Sequence, residues 1–471
     1  MESVDRGEPN AIVSPQALDV RELKKQVFGP VLLPRDEGYD EERSGFELSV
    51  DHRPVVIVGA TEAADVVAAV RFAAERKLPV GVQATGHGAS VPVTGVFINT
   101  RRMTDVRIDA VARFTRIDAG VRWEEVIHEA GAHALAPLSG SAPFVGAVSY
   151  LLGGGLGLLS RRYGQAADHI LGFNLVTADG RFLQVTADQH PDLFWGVRGS
   201  KGNLGIVTSV DVRLFPVERV YGGGLFFPGE AAREVLNTYF AWTATVPEEV
   251  ASSMFMARYP DVDGLPEPLR GRFVVHLRLA YLGEPAEGEW FFAPLREAGP
   301  VIMDTVASIP YTQAGSIHSD PASPVSSFSK TLMLRKLDPD AIETIIKLAG
   351  PEANAVFGVE VRHLGGALAR PADSPSAVGY FPEARFNVYV ASLLESGQRD
   401  AIDNAQQQML DALKPWADER VCLNFLVGAN TSVERVRTAY TAENYARLQK
   451  LKAQYDPGNL FRFNVNIPPA P

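Results

Sequence analysis

The chain has 471 residues, of which 46% are hydrophobic and 21% charged, and its formal net charge is −11. This composition predicts a globular protein of two or three domains, and the acidic balance argues against nucleic acid or an anionic membrane as the main partner. The single cysteine, Cys422, excludes an internal disulfide, and no apolar run reaches the ~20 residues of a membrane span. Because the charged N-terminus also lacks a secretion-signal pattern, we expect a cytoplasmic protein.

The first predicted unit is a strand, a helix and a second strand. The strands are expected at Pro54–Gly59 and Leu78–Val82, and an apolar stripe at helical spacing predicts the helix at Glu62–Lys77, with Thr61 as its N-cap. The second strand leads into a glycine-containing turn centred on His87. Glycines let backbone N–H groups approach an anion closely, so a turn at this place favours phosphate binding. An imidazole inside such a turn is an unusual choice for packing alone.

The next region is rich in glycine. A strand at Thr115–Val121 and a helix at Trp123–Ala130 precede the apolar run Val145–Gly157. So many glycines would weaken a helix by ~1 kcal/mol each. Two interpretations remain open: close packing of backbone on backbone, or a backbone surface pressed against a flat or phosphorylated ligand. A β-hairpin is expected at 170–186, and Gly202–Thr208 opens another strand.

Composition changes after Pro216. Alternating segments at Phe273–Leu282, Val356–His363 and Phe386–Leu394 predict antiparallel strands of a second domain. The chain ends with a helix at Glu443–Tyr455 and an apolar segment, Leu460–Ile467, which we expect to dock back onto the body. Nine scattered histidines show no metal-binding spacing, so no metal site is predicted.

Four motifs in this order closely resemble the FAD-linked oxidases of the vanillyl-alcohol oxidase superfamily, and within it the bacterial type of the berberine-bridge-enzyme-like branch. They are the His87 turn, the glycine run with Arg162-Tyr163-Gly164 and Asp168, the Gly202–Thr208 segment, and Tyr455-Asp456-Pro457-x-Asn459-Leu460-Phe461. The resemblance implies an α+β fold: a split PCMH-type FAD-binding domain of two α/β subdomains, with an inserted substrate domain built on an antiparallel sheet flanked by helices. The expected boundaries are residues 1–215 and 425–471 for the FAD-binding domain and 216–424 for the substrate domain.

The resemblance also implies the cofactor, FAD, bonded covalently through His87 to the flavin 8α-methyl group. Many relatives carry Arg-Gly-Gly-Gly-His-Ser at this turn, and the arginine is absent here. A second flavin bond from cysteine is excluded, because Ala142 occupies that position. The remaining cofactor-binding residues implied are Gln83, Ala84, Thr85, Gly86 and Gly88 at the pyrophosphate; Ser139, Gly140, Ser141, Gly146, Gly154, Gly155 and Gly157 along the adenosine and ribityl portions; Asn464 and Asn466 near the isoalloxazine ring; and, without an assigned portion, Tyr150, Gly205, Ile206 and Val207.

Glu360 is the candidate catalytic base, because hydride transfer to flavin N5 leaves a proton that must be accepted. Glu360 and Arg362 share one face of a strand, while His363 lies on the other. If apolar neighbours make Glu360 basic, its pKa is raised. The alternative is a Glu–Arg pair on a surface strand. Arg362, His363 and Asn424 are the candidate substrate contacts.

The absence of one tyrosine motif suggests the substrate class. Sugar-oxidising relatives carry Tyr-x-Asn where this chain has Cys422-Leu423-Asn424. This favours a secondary-metabolite-like or other apolar small molecule, oxidised with O2 as acceptor to give H2O2. The alternatives are a dehydrogenase with another acceptor, a flavin-bearing cyclase or isomerase without net redox change, and a non-catalytic binding protein. A nicotinamide enzyme is disfavoured, because no GxGxxG opens the helix.

Overall fold

The computed structural model of the protein describes residues 18–88, 91–353, 355–428 and 431–471. The N-terminal residues in which we expect no secretion signal lie outside these ranges. Three β-sheets organise the described chain, and each takes its strands from one continuous part of the sequence. Within the described part, every helix falls short of the length or apolar character that a bilayer span requires.

The first sheet forms around the predicted β-α-β unit. Its strands are β1 (Val31–Leu32), β2 (Val56–Gly59), β3 (Val80–Gln83) and β4 (Val96–Asn99). They lie in the order β1-β2-β4-β3, and β2, β4 and β3 are parallel. The parallel strands are apolar and largely buried, as expected where a crossover helix covers the sheet.

The second sheet is antiparallel throughout. Its strands are β5 (Val106–Asp109), β6 (Phe114–Asp118), β7 (Ile170–Val176), β8 (Phe182–Thr186) and β9 (Ile206–Arg213), in the order β5-β6-β9-β7-β8. The pairing of β7 with β8 confirms the predicted hairpin, and β9 is the strand predicted to open in the Gly202–Thr208 segment.

The third sheet is also antiparallel. Its strands are β10 (Arg219–Pro228), β11 (Val250–Arg258), β12 (Phe273–Tyr281), β13 (Met303–Asp304), β14 (Ala307–Pro310), β15 (Ser327–Leu334), β16 (Gly358–His363) and β17 (Phe386–Leu393). The order is β13-β10-β12-β11-β16-β17-β15, with β14 beside β10. The three strands predicted in this region are therefore confirmed.

Helices cover the sheets and connect them. The α-helices are α1 (Arg21–Gln26), α2 (Tyr39–Arg43), α3 (Ala63–Glu75), α4 (Trp123–Gly131), α5 (Ala147–Leu151), α6 (Ser160–Tyr163), α7 (Pro191–Val197), α8 (Ala232–Thr243), α9 (Pro285–Arg296), α10 (Pro339–Ala349), α11 (Arg399–Leu413), α12 (Val433–Arg437) and α13 (Ala442–Tyr455). Short 3-10 turns include Tyr311–Ile317 and Leu423–Phe425.

The two faces of the third sheet differ in chemistry. Successive side chains of a strand point to opposite faces. One face, represented by Leu277, Val361 and Val388, is apolar and packs with buried side chains of α8, α9, α10 and α11 in a single core. The other face carries polar side chains, among them Arg278 and Glu360, and these are buried as well. We call this second surface the polar face.

The C-terminal segment returns to the N-terminal half. The backbone N–H of Val80 donates to the Leu460 carbonyl at 2.9 Å. Phe461 is buried in the core of the first sheet, and Val465 and Ile467 are buried in the core of the second. The expected docking of this segment is confirmed, together with the α+β fold. The domain boundaries at 215 and 424 stay predictions.

One predicted cap is wrong. Helix α3 begins at Ala63, and its N-cap is Glu62 rather than Thr61. The Thr61 hydroxyl instead donates to the Asp65 carboxylate at 2.8 Å, and the Thr61 N–H donates to the same oxygen. Asp65 accepts from Phe28 as well, so the polar groups before this helix are bonded by a side chain inside its first turn.

Candidate active site

The His87 turn follows β3 and is covered by a neighbouring loop. The Thr85 carbonyl accepts from the Phe46 N–H at 2.9 Å, and the Gly86 carbonyl accepts from the Glu47 N–H at 3.3 Å. Gly86 has a φ of 78°, and a Cβ there would lie 2.8 Å from the Gly45 Cα. Only glycine suits this position, because a side chain would be strained and would meet backbone.

The His87 ring is held from two sides. It stacks on Phe46 with ring centroids 3.7 Å apart, and its Nδ1 lies 2.9 Å from the Thr85 hydroxyl, which also accepts from the Gly146 N–H at 3.2 Å. Its Nε2 is buried and has no hydrogen-bond partner among the described residues. Burial, with the charge of Arg122, lowers the pKa of His87 to about 4. The ring is therefore neutral at neutral pH, with one nitrogen available for a further bond.

The glycine run packs closely against protein. A Cβ on Gly157 would lie 1.8 Å from the Ser139 carbonyl oxygen, and one on Gly155 would lie 2.7 Å from the Tyr150 ring. Gly154 has a φ of 105° and would meet Gln165. Close backbone packing, one of the two open interpretations, is therefore present. The N–H groups of Gly153, Gly154, Gly155 and Gly157 also donate within the protein, so the ligand-facing surface stays a prediction.

Asn424 holds this run in place. Its side-chain Nδ2 donates to the Tyr150 carbonyl at 3.0 Å, and its Oδ1 accepts from the Gly155 N–H at 2.9 Å. Both ends of the amide are engaged with backbone. Asn424 therefore positions the glycine run, and its contact with substrate stays a prediction.

Several other predicted cofactor residues use their side chains within the protein. The Ser139 hydroxyl lies 2.9 Å from that of Tyr311, Ser141 donates to Asp320 at 2.8 Å, and Gln83 donates to the Ser44 carbonyl at 3.1 Å. A ligand could therefore contact the backbone groups of these residues rather than their side chains. Similar packing applies to further predicted residues, with Gly140 against Tyr150, Gly146 near Ala84 and Thr85, Gly205 against Leu175, and Ile206 and Val207 buried in β9.

Unpaired polar atoms test whether FAD fits these segments. Tyr150 Oη, Asn464 Oδ1 and Asn466 Oδ1 are buried without a hydrogen-bond partner among the described residues, as is His87 Nε2. Each such group costs about 1–3 kcal/mol when left unpaired. They lie on three separate segments that the sequence assigned to FAD, which offers many donors and acceptors. The residues present therefore fit this cofactor.

Lys201 lies between two of the predicted cofactor segments, and the sequence analysis did not single it out. It adopts a φ of 50°, and a Cβ on Gly153 would lie 2.6 Å from its Cε. A Cβ on Gly88 would lie 3.8 Å from its Nζ, so the ammonium group lies between the His87 turn and the glycine run. Burial lowers the pKa of Lys201 to about 8. Its position within a glycine-flanked turn is the sequence feature that could have indicated this lysine.

Glu360 lies on the polar face among cations. Its Oε1 is 3.1 Å from Arg362 Nη2, 3.3 Å from Arg278 Nη1 and 3.4 Å from His318 Nε2. Burial raises the pKa of the carboxyl, but Arg362, His318 and Arg278 outweigh it and hold the pKa well below its usual range. The predicted raised pKa is therefore wrong, because the neighbours are charged rather than apolar. The predicted Glu360–Arg362 pair on one face is confirmed.

His363 lies on the opposite face, as its place in the strand predicts. Its Nε2 is 2.8 Å from Arg161 Nη1, and its ring stacks on Phe386. Arg161 in turn donates to the Val250 carbonyl at 2.7 Å. His363 therefore anchors Arg161 from the side of β16 opposite Glu360, and its contact with substrate stays a prediction.

The sequence analysis did not single out His318 and Tyr389, which lie beside Glu360. His318 follows the 3-10 turn Tyr311–Ile317, and its Nδ1 is buried without a hydrogen-bond partner among the described residues. Burial lowers the pKa of His318, so the ring is neutral beside the ionised Glu360. Tyr389 pairs with Glu360 across β16 and β17. The alternation of β17 could have indicated Tyr389, whereas nothing local marks His318.

Metal ligands do not cluster here. Across the described ranges, no group of three or more His, Cys, Asp or Glu side chains is placed to hold a metal ion. Cys422 is a buried free thiol.

Two family models match the chain in the segments that form this site. A model described as "FAD binding domain" matches residues 54–186, and one described as "Berberine and berberine like" matches residues 411–468. The chain is an FAD-linked oxidoreductase with an FAD-binding domain and a berberine-like C-terminal segment. It is therefore an enzyme that uses FAD.

Several FAD-linked oxidases resemble this chain over nearly its whole length. The (R)-6-hydroxynicotine oxidase of Paenarthrobacter nicotinovorans is 28% identical, with 94% of this chain and 97% of that protein covered. The carbohydrate oxidase of Microdochium nivale is 25% identical, with 93% of both covered. The crystal structure of 6-hydroxy-D-nicotine oxidase from Arthrobacter nicotinovorans superposes with a TM-score of 0.80 at 25% identity, covering 94% of this chain and 98% of that one.

Proposed function

We propose that this enzyme oxidises a small organic substrate on the polar face of the third sheet, with FAD bonded to His87 and with O2 as electron acceptor. The observation that carries the proposal is the position of the Glu360–His318 pair. Arg362, which contacts Glu360, donates to the Leu156 carbonyl at 3.2 Å and so joins the polar face to the glycine run. A substrate between them would meet both the acid–base pair and the cofactor segments.

We assign acceptance of the substrate proton to the His318–Glu360 pair rather than to Glu360 alone. FAD, when bound, accepts a hydride at N5 and passes the electrons on. An ionised carboxylate between two arginines is a weak base, because a base works best with a pKa near the operating pH. Neutral His318 is better suited. Its Nε2–H can donate to Glu360, which leaves the unpartnered Nδ1 to accept the substrate proton while Glu360 stabilises the imidazolium.

Attachment of FAD to His87 is supported by the ring itself. It is neutral, fixed by Phe46 and Thr85, and has a buried nitrogen without a partner among the described residues. A preorganised neutral imidazole can form a bond to carbon without first losing a proton or reorienting. The absence of the arginine that relatives carry before this histidine does not affect these contacts.

The substrate is proposed to be apolar or aromatic in its main body. Phe425 lies 5.3 Å from the Tyr389 ring, and Phe255 lies under Arg278, so aromatic surfaces border the polar face. One similar protein is named for hydroxynicotine and another for carbohydrate. Cys422-Leu423-Asn424 lacks the tyrosine of sugar-oxidising relatives, which favours the first class. A cytoplasmic location remains a prediction from the sequence.

The test is an aerobic turnover assay, read at once for O2 uptake, H2O2 and product mass. Oxidase function predicts one H2O2 per O2 and a product lighter by two hydrogens. Turnover only with an added artificial acceptor would indicate the dehydrogenase. A product of unchanged mass with no O2 uptake would indicate the cyclase or isomerase and contradict the proposal.

A further inference from the structure

Two arginines and a single carboxylate meet on the polar face. Ser253 of β11 pairs with Arg278 of β12 on one side and with Arg362 of β16 on the other, so both guanidinium groups flank it. The two arginine side chains are only 8% and 12% exposed. Among the described residues, Glu360 is the sole carboxylate within ion-pair distance of either. One buried positive charge is therefore left without a direct counter-charge.

The other titratable groups nearby do not supply that counter-charge. Asp320 acts on Arg362 through space, but its contact is with the Ser141 hydroxyl. Glu47 is bonded to the Ser327 backbone and hydroxyl. His276 and His318 are kept neutral, since burial lowers the pKa of each. Lys201, which lies beside Gly153 of the glycine run, adds positive charge.

An unused donor accompanies the unbalanced charge. Arg362 Nη1 and Nη2 bond to Leu156 and Glu360, but its Nε is buried and has no hydrogen-bond partner among the described residues. A cavity opens at the same place. Its wall includes both arginines, Ser253, His318 and residues 156–158, and Arg161 and His363 border it as well.

We propose that this cavity binds the carboxylate of an organic acid, which makes the enzyme's substrate an apolar or aromatic carboxylate. The inference rests on the proposed function, whose substrate class it narrows. Guanidinium groups match carboxylates in shape and charge, and a buried unpaired charge is costly until an anion meets it. Aromatic rings for the rest of the molecule lie close by, with Arg278 Cζ 4.6 Å from the Phe255 ring and Arg362 Cζ 5.3 Å from the Phe425 ring.

Binding of three matched probes tests the proposal on the unmodified holoenzyme. Benzoate, benzamide and benzylamine share one ring and differ in charge, and calorimetry measures each affinity. We expect benzoate to bind about tenfold or more tightly than benzamide, as for a hydrogen-bonded charge, and benzylamine to bind most weakly. Equal affinities, or a preference for benzylamine, would overturn the inference.

Substitutions locate the site. Arg278→Met should remove most of the benzoate preference, and Arg278→Lys should restore part of it by keeping charge without the planar fork. Arg219→Met is the control, because Arg219 is exposed on β10 and bonds only to Ser308 among the described residues. If Arg278→Met and Arg219→Met bind benzoate equally well, the assignment fails. The probe series on the unmodified enzyme needs no variant to fold.

The proposed oxidase function is tested by different measurements from those that test carboxylate binding. Failure of the protein to take up FAD, or of bound FAD to be reduced by any substrate, would contradict the oxidase. Calorimetry still reports carboxylate binding in that case, since it does not depend on flavin colour.

Discussion

His318 Nε2 lies 3.4 Å from Glu360 Oε1, with both side chains more than nine-tenths buried. The two arginines beside Glu360 keep the carboxylate charged, and burial keeps the imidazole neutral. In the proposed mechanism the acceptor atom, His318 Nδ1, is separate from the group that stabilises the charged form of the ring. This division explains how an ionised glutamate with a depressed pKa can still assist proton removal.

Replacing either member of this pair should slow reduction of the flavin. Loss of a positioned acid–base group typically costs about 10²–10⁴-fold in rate. We expect a loss in this range for His318→Asn and a smaller loss for Glu360→Gln, measured as anaerobic flavin reduction by stopped flow. An unchanged rate in Glu360→Gln would remove Glu360 from the mechanism. Unchanged FAD content in both variants is the control.

His87→Ala should abolish covalent retention of FAD. Acid precipitation of the unmodified protein should leave yellow colour in the pellet, whereas the variant should release it to the supernatant. His128→Ala is the matched control, because its side chain is 85% exposed on α4. Colour released from the unmodified protein would show that no tether forms.

The buried ammonium of Lys201 should make stability depend on pH. Its pKa is lowered in the folded state to about 8, against an ordinary value of 10.5. Between these values the unfolded chain binds more protons, so the free energy of unfolding should rise with pH, by up to about 3 kcal/mol. Below pH 8 Lys201 is protonated in both the folded and the unfolded state, so the full cost of burying its charge remains.

Chemical denaturation at pH 7 and pH 10 measures this effect. FAD-depleted His87→Ala protein serves as the common background, because FAD phosphates would perturb the lysine. Adding Lys201→Met should remove the rise while keeping the side-chain length. An equal rise with and without Lys201 would assign it to other groups.

Gly157→Ala should destabilise the fold. The new methyl carbon would meet the Ser139 carbonyl at 1.8 Å, and forced repacking costs about 1–3 kcal/mol or prevents folding. Gly458→Ala is the control, because a Cβ there has no atom within 4 Å. The difference between the two midpoints of thermal unfolding checks the prediction. Equal midpoints would mean that the glycine run tolerates side chains.

Local patterns of the chain were sufficient for its elements and its cofactor segments. Apolar alternation predicted β12, β16 and β17, helical spacing predicted α3 and α13, and the His87 turn and glycine run pointed to FAD. The period of two also placed Glu360 and Arg362 together and His363 opposite. These features depend on residues a few positions apart, so they can be read from the sequence.

The tertiary structure decided the chemistry of Glu360. Arg278 is 82 positions away in the chain and reaches the carboxylate only because β12 and β16 both flank β11. His318 follows a 3-10 turn far away in the sequence, and Asn424 bonds to the backbone of Tyr150 and Gly155. A pKa depends on which charges lie within a few ångströms, and strand order sets those distances. Spacing along the sequence therefore predicted which residues would matter, and only the fold determined the sign of the pKa shift.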